Sequence, residues 1–219
     1  MKGRLIVLEG LDGSGKSTQL ALLKERLSGD VRFVKFPVYD SPAGQLIKQY
    51  LSGAFGARPG DVNAYAASAF YAVDRFASYK SDWGAAYEAG ATVLCDRYAT
   101  SNAVHQAAKL EGAERDAYLD WLTDFEYGKL GIPKPDAVIF LDMPVAVSQR
   151  LISARYQGDE GQKDIHERDV AYLEHCRQAA LYAAKRLGWS VVTCAEGDVP
   201  RTREAIAADV YAAVLAAEK

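Results

Sequence analysis

The chain has 219 residues, of which 49% are apolar and 25% charged, as is typical of one soluble globular domain with a core large enough to need no disulfide or metal staple. Its net charge of -3 argues against a broad basic surface for nucleic acid. No apolar run approaches the roughly 18 residues of a membrane span, and three scattered cysteines fit a reducing compartment, so we expect a cytoplasmic protein with neither a membrane nor a nucleic-acid partner.

Short apolar runs alternate along the chain with stretches of helical periodicity, over one domain of residues 1–219. The runs predict five strands, at residues 4–9, 31–36, 91–95, 137–141 and 190–194. Helices are predicted between and after them, at residues 18–27, 42–50, 62–79, 83–88, 101–110, 115–127, 145–154, 165–187 and 201–216. Alternating strands and helices with continuous apolar strands indicate a three-layer α/β fold, in which helices cover both faces of a parallel sheet.

A glycine-rich segment follows the first predicted strand and precedes the first helix. Residues 10–17 read GLDGSGKS and match the phosphate-binding loop pattern GxxxxGK[ST], whose backbone N–H groups surround the phosphates of a nucleotide. In this motif the lysine contacts the β and γ phosphates, and the serine hydroxyl binds Mg²⁺. We therefore expect ATP to be bound with Mg²⁺ by Gly10, Asp12, Gly13, Ser14, Gly15, Lys16, Ser17 and Thr18.

Charged residues follow other predicted elements at the same end of the sheet. Asp96 follows the third strand, where a carboxylate can organise Mg²⁺ with Ser17, and Arg97 comes next. Asp12 lies inside the loop, where it either meets a hydroxyl of a second substrate or is a solvated turn residue. The pair Asp74-Arg75 either serves a nucleotide that brings its own phosphate or is an exposed ion pair worth little.

Basic residues flank a polar, glycine-bearing segment late in the chain. Arg150 and Arg155 precede it, and the pattern predicts a lid at about residues 155–164. Such a lid would bring positive charge to the transferred phosphoryl group and exclude water, which would otherwise hydrolyse ATP. A helix with a solvated basic face is the alternative.

Four motifs in fixed order resemble the thymidylate kinase family over nearly the whole chain. They are LEGLDGSGKST, FPVYDSPAG, FYAVDR and DRYATSNAVHQ, the last being the most specific. The resemblance implies transfer of the γ-phosphoryl of ATP to dTMP, and a homodimer formed through the helix at 62–79. Some members carry an arginine at the position of Gly13; because this chain lacks it, the resemblance implies a catalytic arginine from the lid, Arg155 or else Arg150, beside Lys16 and Arg97.

The resemblance also implies the residues that bind dTMP. Asp12 would hold the 3′-hydroxyl, Arg97 the acceptor phosphate, and Arg75 either thymine or that phosphate. Tyr71 stands where the family usually has a stacking phenylalanine, and His105 where it often has a tyrosine. The remaining residues would wall the thymine pocket or lie near the sugar and phosphate, and they are Phe36, Pro37, Tyr39, Ser101, Asn102 and Gln106.

Two other kinds of function fit a phosphate-binding loop: a kinase with a different acceptor, which is either a deoxynucleoside or another nucleoside monophosphate, and a non-catalytic nucleotide switch. A deoxynucleoside kinase would usually place a carboxylate at the end of the second strand, where this chain has Lys35 and Phe36. A different nucleoside monophosphate could also be the acceptor. A non-catalytic nucleotide switch of the GTPase type would carry an Asn-Lys-x-Asp run, which the sequence lacks.

Overall fold

The computed structural model describes residues 2–155, 166 and 169–217. Within these residues, five parallel strands form one sheet in the order β2-β3-β1-β4-β5. The predicted fold class and the five predicted strands are confirmed. The strands are β1 (Arg4–Gly10), β2 (Val31–Lys35), β3 (Thr92–Asp96), β4 (Ala137–Asp142) and β5 (Ser190–Thr193).

Helices cover both faces of this sheet because successive side chains of its strands point to opposite faces. On the central strand β1, Leu5 and Val7 join one buried cluster, and Ile6 and Leu8 join the cluster on the other face. The helices are α1 (Lys16–Arg26), α2 (Pro42–Leu51), α3 (Ala64–Ser78), α4 (Gly84–Glu88), α5 (Thr100–His105), α6 (Gly112–Thr123), α7 (Val145–Arg155), α8 (Val170–Leu187) and α9 (Arg203–Ala216).

Several elements differ from the predicted ones. The helix predicted at 101–110 ends at His105 and is followed by a 3-10 turn at Ala107–Lys109. The helices predicted at 62–79 and 115–127 each end in a π-helical turn, at Tyr79–Trp83 and Asp124–Lys129. The helix predicted to begin at residue 165 begins at Val170 in the described part of the chain. A small hairpin, β6 (Ala195–Glu196) with β7 (Val199–Pro200), was not predicted. Among the helices of the described residues, none has both the length and the apolarity to cross a bilayer.

The connections place the functional end of the sheet at β1. The chain leaves β1 toward β2 on one side, returns to β3, and then crosses to β4 on the other side. A crevice opens where connections leave a parallel sheet in opposite directions, beyond the carboxyl ends of the strands. The segments after β1, β2 and β3 all meet there, and they carry most of the residues that the motifs singled out.

Candidate active site

The glycine-rich loop joins β1 to α1 in the conformation that its glycines permit. Gly13 and Gly15 have φ angles of 78° and 90°, in the left-handed region where a side chain is strained. The Lys16 ammonium donates to the carbonyl oxygens of Gly10 at 2.9 Å and Leu11 at 3.1 Å. Burial, with Arg97 nearby, lowers the pKa of Lys16 to about 8. The Lys16 ammonium is thus folded back onto the backbone carbonyl groups of its own loop.

A small cavity of about 150 Å³ opens over this loop and gathers residues from three strand ends. Ser17 and Thr18 line it from α1, Asp96 and Arg97 from the end of β3, and Lys35 from the end of β2. Lys35 was not among the predicted site residues, although its position at the end of a strand was a visible signal. The cavity therefore brings together the predicted phosphate loop, the predicted metal residues and an additional cation.

Arg97 connects the loop with the neighbouring helix α5. Its Nη2 donates to Asp12 Oδ1 at 2.7 Å, and its Nη1 lies 3.1 Å from His105 Nε2. A guanidinium is only a donor, so Nε2 of His105 accepts and the proton of the neutral ring lies on Nδ1. Although burial opposes ionisation, Arg97 and Lys16 hold the pKa of Asp12 well below its usual range. Asp12 is thus an ionised, cation-bound residue rather than a solvated turn residue.

Asp96 has the property expected of a metal-binding carboxylate. It is buried, and its Oδ1 has no hydrogen-bond partner among the described residues. A buried carboxylate oxygen without a donor is costly unless a ligand completes it. Ser17, the other predicted metal residue, lines the same cavity. Two oxygen donors beside a phosphate loop fit Mg²⁺, which prefers one or two carboxylates together with nucleotide phosphates.

Glu9, the last residue but one of β1, is a functional candidate that sequence reasoning missed. It is fully buried, and its carboxylate accepts hydrogen bonds from the Tyr98 backbone N–H and from the hydroxyls of Thr100 and Ser101. The sequence offered one signal for Glu9, which is a carboxylate that directly follows the apolar residues 5–8 near the end of the strand. The hydroxyl of Ser101, predicted to line the base, is therefore directed at Glu9.

The predicted walls of the thymine pocket lie around α3 and the segment after β2. Phe36 is buried, and its bond to Pro37 is cis. Tyr71 is partly buried in edge-on contact with another tyrosine ring, and Tyr39 is exposed. Asn102 is buried, with Nδ2 at 3.5 Å from the Ser68 carbonyl oxygen. Gln106, next to His105, is buried, and its Oε1 has no hydrogen-bond partner within the described part of the chain.

Asp74 and Arg75 are both about 1% exposed, so the interpretation of this pair as an exposed ion pair is wrong. Asp74 accepts from the Val38 N–H at 2.9 Å and thereby fixes the segment after β2. Arg75 forms a two-pronged ion pair with buried Glu126, and its Nη1 lies 3.5 Å from the Tyr98 carbonyl oxygen. The sequence could not reveal Glu126 because 51 residues separate the partners. The contact of Arg75 with thymine or phosphate stays a prediction.

The predicted lid lies outside the described residues, apart from the end of the helix that leads into it. Arg155 closes α7, and residues 156–164 are not described. The Arg150 side chain, one helical turn earlier, donates to the Asp198 carbonyl oxygen in the turn of the β6–β7 hairpin. In this structure Arg150 therefore connects α7 to the hairpin.

Comparison with known proteins identifies the family of the chain. The family model described as thymidylate kinase matches residues 8–206. A thymidylate kinase from Mycobacterium tuberculosis is 33% identical over 190 residues, which cover 82% of this chain and 84% of that protein. A thymidylate kinase from Nitrobacter hamburgensis is 32% identical over 217 residues, covering 98% of this chain and 89% of that one.

Among solved structures, a thymidylate kinase from Candida albicans superposes with a TM-score of 0.73 at 23% identity, covering 99% of this chain and 93% of that one. At this identity the likeness supports the fold alone. The match of the family model over most of the chain, together with curated relatives above 30% identity, shows the family. The chain belongs to the thymidylate kinase family.

Proposed function

We propose that the activity of the family, transfer of the γ-phosphoryl group of ATP to dTMP, is carried out in the crevice between the phosphate loop and α5. The observation that supports this most is the ion pair of Asp12 with Arg97. It joins a loop that binds one nucleotide to the turn that carries the acceptor motif. Two anionic substrates would therefore meet with their phosphates facing each other across one cationic centre.

On the donor side, the loop residues 10–18 hold the triphosphate. When ATP binds, the Lys16 ammonium exchanges its two carbonyl partners for the β and γ oxygens of the phosphates. That exchange replaces neutral acceptors by anionic ones, which are about twice as strong as hydrogen-bond acceptors. It also raises the pKa of Lys16, which keeps the charge in place during transfer.

Ser17 and Asp96 would hold Mg²⁺ beside the phosphates. The bound ion would supply positive charge to the oxygens of the transferred group. Asp96 has no role as a general base in this proposal, because a phosphate monoester has its second pKa near ~6 and is mostly dianionic at neutral pH. The protein's task is then to place the two substrates in line and to offset their mutual repulsion.

On the acceptor side, the roles follow the resemblance and the positions of the residues. Arg97 binds the dTMP phosphate, and Asp12 binds the 3′-hydroxyl. Asn102 and Gln106 offer amide groups to the base from α5 and the residue after it, and Tyr71 offers a ring for stacking. Walls and flanks of the pocket come from Phe36, Pro37, Tyr39, Arg75, Ser101 and His105.

The lid completes the cationic centre. Arg155 is the proposed catalytic arginine, because the Arg150 side chain is directed at the hairpin carbonyl in this structure. Arg155 would supply positive charge to the γ-phosphoryl group during transfer. We also place the protein in the cytoplasm and propose that it works as a homodimer.

An acceptor panel tests this function. The purified protein is supplied with ATP and Mg²⁺, and ADP release is followed by a coupled assay with dTMP, dUMP, UMP and thymidine as separate acceptors. We expect dTMP to give the highest kcat/KM, and release without an acceptor to be slower by several orders of magnitude. Preference for thymidine would favour a deoxynucleoside kinase, and release that is independent of any acceptor would favour a nucleotide switch.

A further inference from the structure

We propose that Glu9 is a positioning residue that holds Arg97 in the geometry needed for the acceptor phosphate. This inference rests on the proposed function, because it assigns Glu9 a role in binding dTMP rather than ATP. No motif in the sequence assigned a role to Glu9, although its carboxylate contacts the hydroxyl of Ser101, a predicted dTMP-binding residue. Glu9 acts through the turn that connects β3 to α5.

The hydrogen bonds of the Glu9 carboxylate go to three residues of the stretch 98–101, which directly follows Arg97. Glu9 Oε1 accepts from the Tyr98 N–H at 3.1 Å and from the Thr100 hydroxyl at 2.6 Å. The Ser101 hydroxyl lies 2.9 Å from Oε1 and 2.8 Å from Oε2. A single buried carboxylate therefore ties the end of β1 to the start of α5, in the stretch that begins directly after Arg97.

Arg97 needs such anchors because of its backbone. Its φ angle of 68° lies in the left-handed region, which costs a non-glycine residue free energy unless its surroundings impose it. The Arg97 N–H donates to the Leu8 carbonyl oxygen at 3.2 Å, and the next N–H, that of Tyr98, donates to Glu9. Two successive N–H groups are thus fixed to β1, so the strained residue projects toward Asp12.

The charged groups around Glu9 also support its role as a positioning residue. Glu9 is completely buried, and the charged groups that act on its carboxylate are the cations Arg97 and Lys16. Burial raises the pKa of Glu9, while Arg97 and the hydroxyls of Thr100 and Ser101 lower it. Together with Asp12 and Asp96, Glu9 supplies negative charge that acts on both Arg97 and Lys16.

The alternative is that Glu9 merely stabilises the fold. Asp136 offers a matched comparison, because its carboxylate accepts from the Leu5 N–H at 2.7 Å and so ties down the opposite end of the same strand. Asp136 is far from the phosphate cavity along β1. Loss of this carboxylate should lower stability without changing the balance between the two substrates.

The test measures KM and kcat for ATP and dTMP separately in Glu9→Ala, Glu9→Gln, Thr100→Val and Asp136→Asn. We expect Glu9→Ala to raise KM for dTMP about tenfold or more, and to change KM for ATP less than about threefold. Glu9→Gln should recover most of the loss, because its amide oxygen can accept from Tyr98 and its amide N–H can donate to Ser101. Thr100→Val should show a smaller shift of the same kind, and Asp136→Asn none.

A double-mutant cycle with Arg97→Ala tests whether Glu9 affects dTMP binding through Arg97. If Glu9 acts through Arg97, then Glu9→Ala should change kcat/KM for dTMP by less than about threefold in the Arg97→Ala background. Additive losses, equal losses for both substrates, or a Glu9→Gln variant as impaired as Glu9→Ala would overturn the proposal. Should Glu9→Ala not fold, Glu9→Gln and Thr100→Val decide. A wild-type protein inactive on dTMP would instead overturn the proposed function.

Discussion

At the scale of single residues, His105 and His166 form a stacked pair with ring centroids 5.7 Å apart and planes 10° from parallel. His166 Nε2 lies 3.1 Å from the Tyr50 hydroxyl, to which the Lys109 ammonium donates at 3.2 Å. Burial, then Lys109, lowers the pKa of His166 to about 3. Two neutral imidazoles therefore sit between cations, with Lys109 on one side and Arg97 on the other.

This environment predicts that part of the acid sensitivity of the fold comes from His166. Between pH 6.5 and about 3 the unfolded chain binds a proton on His166 that the folded chain excludes. The free energy of unfolding should then fall as the pH falls, by up to about 1.4 kcal/mol per pH unit for one proton. His166→Phe should keep the ring contacts and make this slope shallower between pH 4 and 6, as measured by urea unfolding at each pH.

His175→Asn provides the control for this experiment, because His175 is exposed on α8. It should leave the slope unchanged. Asp12 and His105 keep contributing in every variant, since their pKa values also lie below the usual range, so some slope will remain. A slope in His166→Phe equal to that of the wild type would contradict the assignment.

The residue scale also marks the limit of sequence reasoning at the site. The phosphate loop and the DRY motif are local patterns, so Lys16, Asp96 and Arg97 could be predicted. The position of Glu9 at a strand end was visible, but its hydrogen-bond partners could not be predicted, because they lie 89 to 92 residues further along the chain. A carboxylate can be buried only where other groups donate hydrogen bonds to it. Sequence periodicity does not reveal which distant segment supplies those donors.

At the scale of elements, α7 lies directly against the phosphate loop. A Cβ atom placed on Gly13 would lie 2.6 Å from the Ser148 carbonyl oxygen and 2.9 Å from an Ile152 side-chain carbon. This contact leaves no room for a side chain at position 13, where some family members carry arginine. The loop therefore cannot supply that cation itself, and α7, which closes off the position, leads to Arg155 instead.

Gly13→Ala and Gly15→Ala separate this contact from backbone strain. Both glycines have positive φ angles, but a Cβ atom on Gly15 would meet nothing within 4 Å. Both variants should lose about 1 kcal/mol from the left-handed conformation, and Gly13→Ala about 1–3 kcal/mol more from displacing α7. Urea unfolding measures the difference in the free energy of unfolding between the two variants. Equal losses of stability would show that α7 can move away from the new Cβ atom at no energetic cost.

The elements themselves could be predicted wherever their periodicity is long. All five strands of the sheet were found, to within a residue or so at their ends. The two π-helical turns could not be found, because tertiary packing around Trp83 and Glu126 decides them rather than local propensity. The strands of the β6–β7 hairpin have two residues each, too short for any alternation to be visible.

At the scale of the whole molecule, α3 presents apolar side chains that the described chain leaves uncovered. Val73 is 57% exposed and Phe76 is 38% exposed, and Tyr65 is exposed nearer the start of the helix. A cluster of exposed apolar residues on one helix is typical of an interface. The proposed homodimer would bury this face.

Val73→Glu should therefore shift the protein toward monomer by placing a charge in the interface. Val191→Glu is the control, since Val191 is also an exposed valine, at 44%, but lies on the edge strand β5. Sedimentation velocity over a dilution series gives the populations of monomer and dimer. A wild-type protein that sediments as a monomer at every concentration would refute the homodimer.

The strand order has a consequence for how the protein is made. β1 leaves the ribosome before both of its neighbours in the sheet, β3 and β4, and β4 ends only at Asp142. Domains fold as units during synthesis. The phosphate loop after β1 therefore gains a rigid support only after both β3 and β4 have been synthesised. A truncated translation product that ends before β4 would therefore contain the whole nucleotide-binding motif and still be unable to bind ATP.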